Sequence, residues 1–239
     1  MLEKINDLFD PLDQEAELLS DWQEDMMYDP EATEKFVKKS LCRHQEKRGI
    51  PLQTPAGDFR RKTVREFSQE PVSFAAVSAV LSSLRCFQEN GKMRYFYPSA
   101  GGLYPIDIYV YVKEGRVNGI SGGLSLSLPM QNALMLVSSE EIPARAHYFG
   151  NRSIFSSSAF SLYLVYDCES SMPKYNGMGL YYGILDAGII LGQITAACVA
   201  AHLGSCIIGD MNFSLIKEQF GLSENKVYLN CIEVGGCDA

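Results

Sequence analysis

A surplus of positive charge is missing: 21 Lys and Arg stand against 29 Asp and Glu, a formal net charge of −8. That excludes nucleic acid and anionic membrane surfaces, which need a basic face. Paired cysteines are missing too. The seven cysteines are odd in number and none stands in a CxxC pair, so neither a disulfide framework nor a zinc site fits, and reduced thiols in a cytoplasmic protein are expected. The opening Met-Leu-Glu-Lys-Ile-Asn lacks the basic and apolar segments of a signal peptide. Uninterrupted apolar runs are short. The longest, residues 184–201, is broken by Asp186 and Gln193 and is expected as a core helix rather than a membrane span. Internal repeats, low-complexity tracts and a regular βαβ alternation are absent, and the interleaved strands and helices point to an α+β fold. Histidine is scarce, and His147 and His202 are expected to be structural.

What is present falls into two parts. Residues 1–34 carry twelve carboxylates against Lys4 alone. With Leu8, Phe9, Leu12, Leu18, Leu19 and Trp22 between them, they read as one or two helices with an acidic face, broken at Pro11 and Pro30. Residues 44–56, with Pro51 and Pro55, read as a linker, so the expected division is 1–57, an acidic helical region, and 58–239, a compact domain. Arg61, Lys62, Thr63 and Arg65 then form a basic island, either a solvated charge run or a phosphate site, since guanidinium and hydroxyl donors suit phosphate oxygens. Periodicity predicts a helix over 73–84, a strand over 106–113, a hairpin of 123–128 with 133–137, a helix over 139–148 and a central strand over 160–166. Beyond these come a long helix over 179–203 capped by Gly204, a short strand at 205–209, a short helix at 213–220 and a last strand at 226–234.

One stretch is unlike the rest. Residues 94–107 read Arg-Tyr-Phe-Tyr-Pro-Ser-Ala-Gly-Gly-Leu-Tyr-Pro-Ile-Asp, so Pro98 and Pro105 stiffen a backbone that has almost no side-chain bulk between them. It reads either as a tight loop before a strand or as a surface that a flat or phosphorylated ligand approaches closely, with Tyr95, Phe96, Tyr97 and Tyr104 as apolar wall.

Taken in order, the basic island, Tyr-Pro-Ser-Ala-Gly-Gly-Leu-Tyr-Pro, Leu185-Asp-Ala-Gly188 and the Gly204…Ile208-Gly209 turn resemble the flavin-dependent nitroreductase superfamily over residues 58–236. Within it the chain is most similar to the azoline-oxidising branch, and residues 67–74 and 112–119 look closest to the thiazoline oxidase domains of nonribosomal peptide synthetases. The resemblance implies a nitroreductase-like fold, a mainly antiparallel sheet flanked by helices, and a homodimer with two FMN molecules at its interface. It implies that Arg61, Thr63 and Arg65 meet the flavin phosphate or pyrimidine edge. Pro98, Ser99, Ala100, Gly101 and Gly102 would lie against the ring and ribityl chain, and Gln193 with Cys206, Ile207 and Gly209 would complete the pocket.

The same branch uses a Lys-Tyr pair in catalysis, matched here by Lys174 and Tyr175. From the residues alone they are equally an exposed Lys and a partly buried Tyr on a surface loop; serving one site requires the segment to be irregular, which Pro173, Asn176 and Gly177 allow. The implied reaction aromatises a peptidyl thiazoline: Tyr175 takes the proton alpha to the carbonyl, the Lys174 cation favours the phenolate, a hydride passes to flavin N5 and oxygen is the final acceptor. The chain departs from the family in having Asp186 where Glu is common, Ser125-Leu-Ser127 in place of a Tyr-rich strand, and no clear basic residue near residue 239. A stand-alone enzyme is expected, acting on a substrate held by a carrier protein of a nonribosomal peptide synthetase, with Leu18, Leu19 and Trp22 as the docking face. Two other readings stay open: an NAD(P)H-dependent nitro or quinone reductase, and a non-catalytic flavin-binding subunit of a synthetase assembly.

Overall fold

The computed structural model describes residues 31, 34–35, 37–39, 61–148 and 150–237. The chain divides into two compact units, Met1–Phe59 and Arg60–Ala239. The described residues of the first are helical and exposed; Leu18, Leu19 and Trp22 lie outside the described residues, as does the 44–56 linker.

The second unit is built on a six-stranded sheet in which every neighbouring pair is antiparallel. Its strands are β4 (Ile106–Val112), β6 (Gly123–Leu128), β7 (Ala133–Ser138), β8 (Phe160–Asp167), β9 (Leu203–Ile208) and β10 (Lys226–Gly236), in the order β7-β6-β4-β8-β10-β9. This is the α+β, mainly antiparallel architecture expected. Alternation along 106–112 predicts one buried face, yet Tyr109 and Tyr111 are buried as well as Ile108 and Val110, because the central strands are covered on both sides. On one face Tyr109, Tyr111, Tyr163 and Val165 pack with Ile154, Phe155, Ile216 and Phe220. The other face receives α4 (Met178–Ala200), which comes so close at Gly183 that an added Cβ would strike the ring of Tyr166. Among the described residues α4 is the one helix long and apolar enough to cross a membrane; its buried residues, Leu180, Ala187, Ile190, Leu191 and Ile194 among them, make it a core helix of this fold.

Smaller elements complete the unit. Helix α1 (Phe74–Ser82) starts where Ser73 accepts a hydrogen bond from the Ala76 amide, and α2 (Asn151–Ser157) and α3 (Cys168–Tyr175) flank β8. Strands β1 (Val72–Ser73) and β5 (Val117–Asn118) pair in parallel, and β2 (Cys86–Glu89) with β3 (Lys92–Tyr95) makes a hairpin. Residues 90 and 91 turn that hairpin with φ of 51° and 74°, which is what Asn-Gly favours.

Three expectations are corrected. Residues 139–148 are not a helix: only the 3₁₀ turn Ala144–Ala146 forms, because Pro143 interrupts and the backbone is drawn elsewhere, Ile142 N–H to the Tyr111 hydroxyl and His147 to a bridge with Met211. Gly204 is not the cap of the long helix, which ends at Ala200 with His202 turning left-handed at φ 56°. Gly204 lies inside β9, where the Val64 side chain sits 2.9 Å from where a Cβ would be. Lys174 and Tyr175 stand at the end of a helix, not in an irregular loop.

Candidate functional site

The basic island forms a strip along the outer edge of β9. Thr63 bridges Ser205 in parallel and the Val64 amide donates to the Ser205 carbonyl at 3.0 Å. Arg61, Thr63 and Arg65 are all exposed, and Arg61 donates to the Thr63 hydroxyl at 3.1 Å. The Arg65 cation acts on Cys206, opposing the burial that pushes its thiol up. That thiol is buried in the core, so β9 can offer a ligand the Cys206 backbone rather than its sulfur. Ile207 points outward and an added Cβ at Gly209 would meet nothing within 4 Å.

The second cluster gathers at the opposite end of the strands. Residues 98–104 lead into β4, and Ala100–Gly102 is a 3₁₀ turn with Gly101 at φ 63° and Gly102 at φ 67°. An added Cβ at Gly102 would meet nothing within 4 Å. Next to it, an added Cβ at Gly101 would run into the Tyr175 hydroxyl and lie 2.8 Å from Lys174 Nζ. The Lys174 ammonium is 5.0 Å from the centre of the Tyr175 ring, and Tyr175 rests edge-on against Tyr182. Consecutive residues thus reach one spot because they stand at the last turn of α3, where the chain leaves the helix at Asn176 with φ 52°. Asp167 starts this helix by accepting from the Glu169 amide at 2.9 Å, and Lys226 pairs with Asp107 while lying 4.0 Å from Asp167, tying α3 to the sheet.

Asp186 of α4 belongs to this second cluster, accepting from the Ser99 hydroxyl at 2.5 Å and the Ala100 amide at 3.1 Å. Its part is not legible from spacing, although one signal was present: it is the sole carboxylate in residues 179–203. Tyr95 stacks on Tyr104 with ring centres 4.0 Å apart and Tyr97 meets both edge-on; Tyr97 is buried, and burial pushes its hydroxyl up. Gln193 joins neither cluster: its side chain donates to the Ser83 carbonyl at 3.5 Å.

Strand register separates the two clusters. Thr63 lines up through Ser205, Val234 and Phe160 with Val112, whereas the turn enters at Ile106, opposite Tyr166. Six residues of strand are roughly 20 Å, and three strand spacings separate β4 from β9.

The profile of the nitroreductase family matches residues 59–236. The chain belongs to the nitroreductase family. It is thereby a member of a family of flavin oxidoreductases. A Methanocaldococcus jannaschii protein named as a nitroreductase is 22% identical over 172 residues, 72% of this chain and 85% of that protein. Among solved structures, a chain of the E. coli microcin synthetase McbBCD complex with truncated pro-MccB17 bound is similar at TM-score 0.66 and 17% identity, covering 84% of this chain and 82% of that one. A Ralstonia eutropha protein named as a nitroreductase is similar at TM-score 0.63 and 20% identity, covering 80% and 89%. Both likenesses concern the fold. The residues of this chain fit FMN in kind: exposed guanidinium and hydroxyl donors for a phosphate at one cluster, and at the other an open glycine backbone beside a wall of tyrosines for a flat ring.

Proposed function

We propose that the chain is an FMN-dependent oxidase that aromatises a thiazoline in a peptidyl chain to a thiazole, the substrate being tethered to a carrier protein of a nonribosomal peptide synthetase. The observation that carries this reading is the convergence of Lys174 and Tyr175 on Gly101, a contact that leaves no room for any side chain at residue 101. The microcin synthetase complex among the similar folds, with its bound pro-peptide, supports a peptide-borne substrate. FMN, when bound, supplies the two-electron acceptor for the hydride of the ring methylene, with oxygen as final acceptor. Tyr175 takes the proton from the carbon alpha to the carbonyl at its phenolic oxygen, the neighbouring Lys174 cation stabilises the phenolate, and the new double bond joins those two ring carbons.

A homodimer is part of the proposal. Met178, Tyr181, Ile184, Leu185 and Ile189 form an exposed apolar stripe on α4, and Gly188 and Gly192 continue it as open, side-chain-free surface. Pairing this stripe with its own copy about a twofold axis runs the two helices antiparallel. One copy's Ser99–Gly102 turn then approaches the other copy's basic strip, which brings together two clusters that stand far apart in one chain.

The purified protein is expected to carry a flavin absorption band and to convert a carrier-bound thiazoline peptide. Lys174→Ala and Tyr175→Phe should each slow that conversion by roughly 10²–10⁴. Leu185→Glu should yield single copies in light scattering that no longer retain FMN. A colourless protein that FMN does not reconstitute ends the reading. Rapid bleaching of the flavin by NAD(P)H without any azole formed replaces it with a nitro or quinone reductase; two of the relatives are named as nitroreductases.

A further inference from the structure

We propose that Asp186 is a positioning residue: its carboxylate fixes the turn of residues 99–104, and the turn in its turn fixes Lys174 and Tyr175. The role in turnover rests on the oxidase reading, whereas the clamp itself does not.

Asp186 is 3% exposed, and among the described residues no Lys or Arg pairs with it. A buried carboxylate in that position needs donors, and it takes both from one turn, the Ser99 hydroxyl on Oδ2 and the Ala100 amide on Oδ1. The connection continues. Ser99 Oγ accepts from the Tyr104 amide at 2.9 Å, and the Gly102 amide donates to the Ser99 carbonyl at 3.0 Å. Asp186 on its rigid helix therefore holds one end of a six-residue segment directly, and the other end through Ser99.

That segment needs holding. Gly101, Gly102 and Tyr104 all have left-handed φ, the last at 49°, a conformation that a residue with a bulky side chain keeps only where its surroundings impose it. Only an ionised carboxylate presents acceptors alone on both oxygens; an amide would turn an N–H₂ towards one of two donors. Glu would add a methylene in a place already closed to solvent, displacing either turn or helix.

Gly101 carries the effect to the reacting groups. Its missing Cβ is the space occupied by the Tyr175 hydroxyl and the Lys174 amine, so a shifted turn displaces both. The other side of the contact is anchored to the same helix: the Gly179 amide donates to the Asn176 carbonyl at 2.9 Å at the junction of α3 and α4. Turn, Lys-Tyr pair and Asp186 thus form a closed circuit through α4. Misplacement of a reacting group by about 1 Å is enough to slow a reaction about a hundredfold.

The test is amide hydrogen exchange on the full-length protein, read beside turnover. Asp186→Asn should raise exchange at the Ala100 and Tyr104 amides by about tenfold or more while the amides of β8 and β10 stay protected. Turnover of the carrier-bound thiazoline should fall about 10–100-fold with KM unchanged, and adding Tyr175→Phe should cause no loss beyond that of Tyr175→Phe alone. Should Asp186→Asn fail to fold, Ser99→Ala is the second variant, and the Tyr104 amide the probe. Unchanged exchange at these amides overturns the clamp, and an additive loss in the double variant overturns its action through Tyr175. A protein that turns over no thiazoline yet shows the exchange increase refutes the oxidase reading and upholds the clamp.

Discussion

Glu233 and Asp186 are both buried carboxylates, one on each side of the same sheet. Glu233, on β10, accepts from the Ser158 and Ser161 hydroxyls at 2.5 and 2.8 Å and lies 3.5 Å from the Lys113 ammonium. Its other oxygen faces His147 at 4.0 Å and the Cys231 thiol at 3.9 Å. His147, Cys231 and Glu233 converge as a three-ligand group, but the positive charge that this carboxylate requires comes from Lys113, which makes the group an internal ion pair. Burial pulls the Lys113 ammonium below its ordinary range while Glu233 opposes that pull. Among the described residues Asp186 has no such cation, and its donors are a hydroxyl and an amide of a strained turn. Losing one member of the Glu233–Lys113 pair strands a charge inside the core, whereas losing Asp186 frees a turn.

The largest effect that separates the two is Glu233→Gln, which leaves the Lys113 ammonium buried without a counter-charge. It should cost about 3–5 kcal/mol of global stability in denaturant unfolding. Replacing both members, as Lys113→Met with Glu233→Gln, should cost less than Glu233→Gln alone. Next comes Gly101→Ala, whose methyl meets Tyr175 and Lys174: turnover should drop about a hundredfold, with the melting temperature moving far less than for Glu233→Gln. A smaller pair sharpens the contrast. Ser161→Ala, which removes one donor from Glu233, should cost about 1 kcal/mol and leave turnover unchanged, whereas Ser99→Ala should slow turnover. Equal effects of the two serine variants on turnover would erase the distinction.

The smallest effect is on pH. Burial holds the His147 imidazole below its ordinary value, with Glu233 opposing and Lys113 reinforcing that shift. The unfolded chain therefore binds a proton that the folded chain resists, so stability is fully present above about pH 6.5 and declines as pH falls from there towards the depressed folded value. His147→Gln should flatten the fall in melting temperature between pH 7 and pH 5.

Much of this architecture was legible beforehand. Residues 106–112 follow from period-two patterning, 160–167 from a continuous apolar run, the hairpin of 123–128 with 133–138 from the turn residues between its strands, and 74–82 from its apolar stripe. The failures have local causes. Pro143 and two long-range backbone bonds dissolve the helix expected over 139–148, and Gly204 looks like a helix cap but is small because Val64 packs against it. The β2–β3 hairpin was signalled by Asn90-Gly91, yet its strands are too exposed to show clear alternation.

For the site, the sequence by itself determined the ingredients: a basic island, a glycine turn between prolines, an adjacent Lys and Tyr, and a lone carboxylate in an apolar helix. Those are properties of residue type and spacing. Only the tertiary structure decided their grouping, because contacts between residues 99 and 186, or 101 and 175, depend on how strands and helices pack rather than on distance along the chain. It also decided which buried carboxylate meets a cation. Glu233 faces Lys113 through strand register, and Asp186 faces a turn because α4 crosses the sheet with that face towards residues 99 and 100.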